Sequence, residues 1–196
     1  MKRGKLILVV GASGAGKDTA IRAAREMLEE EMRRALLPGE LVNGNPEVPW
    51  FYFPRRFITR ASRASEDHEP ITVEEFGRRD FALAWKAHGL HYGIPASIVP
   101  ALSEGAVVIV NVSRSIIAEA RRRFCCFVVE VTAPQALRAA RLIARGREPT
   151  CDIGHRLTRE TVAFTADATI VNDAMPEAAG AILAQIIRRC AGRIAS

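Results

Sequence analysis

Apolar residues fall into two patterns along this chain: short unbroken runs, and longer stretches with apolar positions three and four apart. Leu6-Ile7-Leu8-Val9-Val10 is a run of the first kind, expected of a strand buried on both faces. Similar runs predict strands at 106–112, 125–131 and 168–171, and an aromatic, β-branched stretch predicts another at 50–59. Helical spacing at Ile21, Ala24, Met27, Leu28 and Met32 predicts a helix over 17–37, stopped by Pro38-Gly39. Further helices are predicted at 113–123, 133–145, 155–166 and 175–189, with a short one at 95–104 led by Pro95. Thr72 and Glu75, three apart, have capping-box spacing and open a helix predicted to run through about Ala84. Residues 39–50, 60–70 and 146–154 read as loops, and 88–94, with two glycines, as a hairpin or turn. Short buried strands alternating with helices predict an α/β fold, a parallel β-sheet core flanked by helices. The alternation breaks at about 50–95, which reads as an insertion into a single domain whose core is 1–49 and 96–196.

The length of 196 residues fits one domain with a small insertion. With 48% hydrophobic and 26% charged residues, the chain can bury a substantial core, and disorder is excluded as a reading. No apolar run reaches membrane-spanning length, and the short one after Met1-Lys2-Arg3 leads directly into a glycine-rich motif, unlike a signal peptide. Cys125, Cys126, Cys151 and Cys190 lack metal-ligand spacing and are expected to be reduced, in a cytoplasmic setting. The net charge of +6 leaves nucleic acid, an anionic membrane surface or a strongly anionic small substrate as partners. Of 28 basic residues only Lys2, Lys5, Lys17 and Lys86 are lysines.

The candidate chemistry begins at Gly11-Ala12-Ser13-Gly14-Ala15-Gly16-Lys17-Asp18-Thr19. The pattern G-x-x-x-x-G-K follows a predicted strand and opens a predicted helix, the context of a phosphate-binding loop. Glycines let backbone N–H groups turn toward phosphate oxygens, the helix N-terminus adds positive potential, and Lys17 adds a point charge. Asp18 stands where a metal-ligating Ser or Thr is usual. It is either a hard-oxygen ligand for the Mg²⁺ of bound ATP, with Thr19 beside it, or an acid complementing the helix dipole. The strand at 106–112 carries Asn111 in the place of a second metal-binding acid, which argues against a motor ATPase or GTPase and suits a small-molecule kinase.

Two segments concentrate arginine: Arg55, Arg56, Arg60 and Arg63, and then Arg138, Arg141, Arg145, Arg147, Arg156 and Arg159. Arg138, Arg141 and Arg145 share one helix face. Phosphoryl transfer needs positive charge placed on the migrating group, and Arg60, Arg63, Arg141, Arg145 and Arg156 are the candidates for it. The runs Arg121-Arg122-Arg123 and Arg188-Arg189 read as a solvated basic face. No aromatic-interleaved basic stretch supports nucleic-acid binding.

In order, the phosphate loop, Thr59-Arg60-x-x-Arg63, a Tyr92-Gly93 turn, an arginine-rich stretch through Arg156 and a closing Val171-Asn172-Asp173 resemble the guanylate kinase fold over nearly the whole chain. Gly16-Lys17-Asp18-Thr19 and the segment from Phe81 through Trp85 to Gly93 are similar to the ribose 1,5-bisphosphate phosphokinase family of phosphonate utilisation. That resemblance implies ATP-dependent phosphorylation of a sugar bisphosphate, an acceptor-binding insertion at about 50–95 and a lid at about 138–158. It implies Lys17, Asp18, Arg141, Arg145 and Arg156 as catalytic residues and Asp18 and Thr19 as metal-side residues. Arg60, Arg63 and Tyr92 match phosphate-binding positions, with His68, His88 and His91 as local candidates and Trp85 as core. Ala84 replaces the acid that reads guanine in guanylate kinases. A guanylate or other nucleoside monophosphate kinase, and an inactive binding module of the same fold, are the alternatives. The expected partner is a small molecule, neither nucleic acid nor membrane, and a homodimer is left open.

Overall fold

A computed structural model describes residues 4–35, 50–61, 67–144, 163–173 and 175–192. Its core is a five-stranded, wholly parallel sheet. The strands are β1 (Lys5–Val10), β2 (Phe51–Tyr52), β7 (Val107–Asn111), β8 (Cys126–Thr132) and β9 (Ala168–Val171), in the spatial order β2-β7-β1-β8-β9. Leu6, Ile7, Leu8, Val9 and Val10 are all fully buried, which is why β1 is apolar at successive rather than alternate positions. Ile7, Val9, Ile109, Val129 and Val131 face helices α1 (Lys17–Ala35) and α6 (Pro176–Gly192). The opposite face packs under α3 (Ile98–Ser103), a 3₁₀ turn (Arg114–Ile116) leading into α4 (Ile117–Arg123), and the insertion. Helix α5 (Gln135–Ala144) follows β8.

The insertion is a second, four-stranded sheet in the order β4-β3-β6-β5: β3 (Arg56–Ile58), β4 (His68–Pro70), β5 (Phe81–Ala87) and β6 (Leu90–Pro95). It departs from the sequence reading in four places. The stretch 50–59 forms two strands in different sheets, separated at Pro54, whose missing N–H interrupts a ladder. Residues 68–70 form β4, paired in parallel with β3, where a loop is expected. Helix α2 is only Val73–Arg78, so the predicted helix of 72–84 ends early and its second half is β5. Tyr92-Gly93 lies inside β6; the turn is His88-Gly89, where His88 (φ 51°) and Gly89 (φ 71°) both adopt the left-handed conformation.

The capping box stands as read: the Thr72 hydroxyl accepts from the Glu75 N–H at 3.1 Å, and Thr72 N–H donates to Glu75 Oε2 at 3.0 Å. The Thr72 N–H foremost, then the Thr72 hydroxyl donating to Glu75 Oε2 at 2.8 Å, hold the Glu75 carboxyl below the usual carboxylate range. Helix α2 covers the outer face of the small sheet, where Phe76 stacks on Phe81 and Phe57 packs against Phe81. A Cβ on Gly93 would come within 2.4 Å of the Phe81 ring, so this strand position must be glycine for the ring to lie flat. Most of the predicted 155–166 helix lies outside the described residues, and 163–166 are irregular. No helix among the described residues is long and apolar enough to cross a membrane.

Cys125 is exposed, whereas burial, then the neighbouring Cys125, pushes the Cys126 thiol up to about 12. In a Cys125→Ala, Cys151→Ala variant, iodoacetamide at pH 8 is therefore expected to label the native protein roughly tenfold or more slowly than the urea-unfolded chain. Labelling should accelerate as pH rises toward the folded value. Stability should fall over the same window, because the unfolded thiol ionises first.

Candidate active site

The loop between β1 and α1 has the backbone its sequence requires. Gly11, Gly14 and Gly16 have φ of 146°, 78° and 89°, conformations that only glycine takes at little cost. Each also sits against a neighbour: a Cβ at Gly11 would lie 2.1 Å from the Val131 carbonyl oxygen, one at Gly14 2.8 Å from that of Arg138, and one at Gly16 2.2 Å from Asn172 Nδ2. The Lys17 ammonium folds back across the loop, donating to Gly11 O at 2.8 Å and Ala12 O at 3.1 Å. The loop thus packs into the C-terminal edge of the parallel sheet, where α/β sheets bind ligands.

Among the described residues, Asn172, Arg141 and Asn111 help fix this loop from outside. Asn172, 3% exposed just past β9, donates from Nδ2 to Ala15 O at 2.8 Å. Arg141 on α5 donates to Asn172 O at 3.4 Å and lies beside Gly16. Asn111, at the end of β7, donates to Asp18 Oδ1 at 2.5 Å. In the sequence, Asn111 marks the absence of an acid; in the structure its amide orients the carboxylate of the loop. Thr19 is half-buried in the first turn of α1. The oxygens of Asp18 and Thr19 are the hard donors a Mg²⁺ ion prefers, and the glycine cradle suits a polyphosphate, so the residues present fit Mg²⁺–ATP.

The small sheet presents one face to this loop. Alternation along β3 and its pairing put Arg56 and Ile58 there, with His68 beside Arg56 on β4, Tyr92 opposite Ile58 on β6, and Trp85 opposite Tyr92 on β5. His68 is fully buried. The Trp85 and Tyr92 rings stack at 5.3 Å and 7°, and Trp85 packs on the core, as expected of it. Arg60 follows β3, next to the exposed hairpin tip that carries His88. His91 turns the other way, against Phe76 on the outer face. Ala84 is exposed and lies on the face away from Trp85, so the missing acid at that position is not on the face that meets the loop. Arg63, Arg145 and Arg156 lie outside the described residues.

Arg56 is the residue that sequence reasoning left inside a cluster. Arg55 points outward, pairing with Asp67 at 2.7 Å and Glu69 at 2.6 Å, so the two adjacent arginines serve opposite faces. The guanidinium of Arg56 instead reaches the loop, 3.4 Å from Asp18 Oδ1 and 3.5 Å from Asn111 O. The signal is readable only once 56–58 is known to be a strand, because alternation then puts Arg56 and Ile58 on the same face.

A glycine cradle with an inward lysine, at the edge of a parallel sheet and facing an arginine-lined second sheet, defines a P-loop phosphotransferase. The guanylate kinase from Anaplasma phagocytophilum has the same fold, with a TM-score of 0.62 at 15% identity over 96% of this chain and 86% of that one. No family model matches the chain. The ribose 1,5-bisphosphate phosphokinase PhnN of Acidiphilium cryptum is 52% identical over 189 residues, covering 96% of this chain and 95% of that protein. Its counterpart from Methylobacterium radiotolerans is 42% identical over 196 residues, covering 95% and 99%. The chain belongs to the ribose 1,5-bisphosphate phosphokinase PhnN family.

Proposed function

We propose that the protein transfers the γ-phosphoryl group of ATP to ribose 1,5-bisphosphate, forming 5-phospho-α-D-ribose 1-diphosphate and ADP. The observation that carries this reading is the 52% identity, over 96% of the chain, to a relative of that name. Bound Mg²⁺–ATP supplies the phosphoryl group and screens its charge. The backbone N–H groups of 11–16 cradle the phosphates, while Lys17 leaves its two carbonyls to meet them. Asp18, oriented by Asn111, and Thr19 offer oxygens toward the metal. Arg141 lies beside the loop, on the helix that leads into the proposed lid of 138–158, and brings positive charge to the migrating group. Arg145 and Arg156 extend that charge, and lid closure excludes water. Arg60, Arg63 and Tyr92 hold the sugar bisphosphate, with His68 lining the groove and His88 at its hairpin end. The acceptor is already an anionic phosphate oxygen, so the residues need to align it, not deprotonate it. The same reading makes 50–95 the acceptor-binding unit, places the enzyme in the cytoplasm with ATP, and leaves nucleic acid and membranes without a role.

An ADP-release assay with ribose 1,5-bisphosphate and GMP in parallel tests this. Turnover with the sugar bisphosphate, and formation of the diphosphate product, is the expected result. Turnover with GMP and none with the sugar bisphosphate would replace this reading with a nucleotide kinase.

A further inference from the structure

We propose that Arg56 is a specificity-determining residue that grips one of the acceptor's two phosphates and thereby selects a bisphosphorylated sugar over a monophosphorylated one. The proposal rests on the acceptor assignment above and deepens it by naming the residue that reads the second phosphate.

Arg56 is an expensive residue to place where it is. Its side chain is only 18% exposed, and its Nε is buried without a hydrogen-bond partner among the described residues. A guanidinium largely removed from water normally has its donors satisfied. Here the two contacts are long, 3.4 Å to Asp18 Oδ1 and 3.5 Å to Asn111 O, at the outer limit of hydrogen bonding. Neither is a bidentate carboxylate fork, the geometry that locks a structural arginine. Arg55, with bonds of 2.6–2.7 Å to two acids, shows what a structural arginine looks like one position away. The charge of Arg56 is thus held near the loop while its donor capacity is left over.

Its position matches that capacity. Arg56 opens β3 at its loop end and Arg60 lies two residues past the strand's other end, where the chain bends, so the two are at most about 13 Å apart. Ile58 lies between them, with Tyr92 opposite it. Two arginines on either side of Ile58 and its partner Tyr92 can frame a short molecule with a phosphate at each end. His68, in register with Arg56, closes the frame on the β4 side. A phosphate offers Arg56 the planar, bidentate partner that neither Asp18 nor Asn111 provides. A monophosphate fills one end of the frame and leaves the other arginine as it stands in the substrate-free enzyme, so discrimination resides in the pair.

Isothermal titration calorimetry on the full-length, nucleotide-free enzyme tests this, using ribose 1,5-bisphosphate, ribose 1-phosphate, ribose 5-phosphate and Mg²⁺–ATP as separate ligands. Arg56→Met should weaken ribose 1,5-bisphosphate by roughly tenfold to a hundredfold, the loss expected for a charged hydrogen-bonding pair. It should weaken only one of the two monophosphates, the one whose phosphate Arg56 holds, and leave ATP affinity unchanged. Arg56→Lys, which keeps the charge without the fork, should recover part of the loss, and it carries the test if the Met variant does not fold. Unchanged affinity for the bisphosphate in Arg56→Met overturns the proposal. So does loss of ATP affinity with bisphosphate affinity intact, which would make Arg56 a support for Asp18 alone. Failure of the wild-type protein to bind ribose 1,5-bisphosphate while it binds ATP would instead overturn the acceptor assignment itself.

Discussion

Lys17→Met should lower kcat/KM by about a thousandfold while leaving the melting temperature close to that of the wild type. The side chain is half-buried at the sheet edge, and its ammonium donates to carbonyls of its own loop, at Gly11 and Ala12. Removing it takes no core volume. On the proposed reading, what is lost is a point charge beside the bound phosphates, and preorganised charge of that kind is worth about two to three orders of magnitude in comparable sites. Steady-state kinetics with thermal denaturation in parallel checks both halves. A Met variant with activity within a few-fold of wild type would remove Lys17 from the mechanism; a large drop in melting temperature would make it structural.

The largest effect on stability is expected at Gly11. Gly11→Ala meets two obstacles at once: a φ of 146°, which an L-side chain rarely adopts, and a Cβ placed 2.1 Å from the Val131 carbonyl oxygen. The obstructing atom is backbone in the neighbouring strand β8 and cannot rotate aside, so either β1 and β8 separate or the loop refolds. A cost of about 3–5 kcal/mol follows, or a fall in melting temperature on the order of 10 °C for a domain of this size. Gly77 is the control. It lies in α2, where an added methyl group would meet nothing within 4 Å, and Gly77→Ala should be neutral or stabilising by up to about 1 kcal/mol. Calorimetry on the two variants separates a glycine required by space and backbone from one that is merely present.

The parallel core was legible in the sequence because each of its long strands contains at least four consecutive apolar residues, and the loop because its glycines and lysine have few other uses. The insertion was harder to read for local reasons. His68-Glu69-Pro70 has the composition of a turn, and only its pairing with β3 makes it a strand. The capping box at Thr72 correctly starts a helix but says nothing of where it stops. The helix ends after one and a half turns because Phe81 must lie across Gly93 to complete the outer face of the small sheet. Tertiary packing overrode local preference there. The same holds in the site. Lys17, Asp18, Arg60, Tyr92 and Arg141 could be nominated from spacing and resemblance, whereas separating Arg56 from Arg55 required knowing which face of β3 each occupies. Asn111 was visible as a substitution; that its amide steers Asp18 was not, because the two residues are 93 positions apart.

Asn172 brings time into the architecture. The amide that holds Ala15 in place is synthesised 157 positions after it. At a synthesis pace of roughly 5–20 residues per second, about 8–30 s separate the two. Until then β9 has not joined the sheet, and the nascent chain carries the loop's sequence without its finished shape. A chain truncated before residue 172 therefore lacks the bond that Asn172 gives the loop, and its loop is expected to be less firmly held.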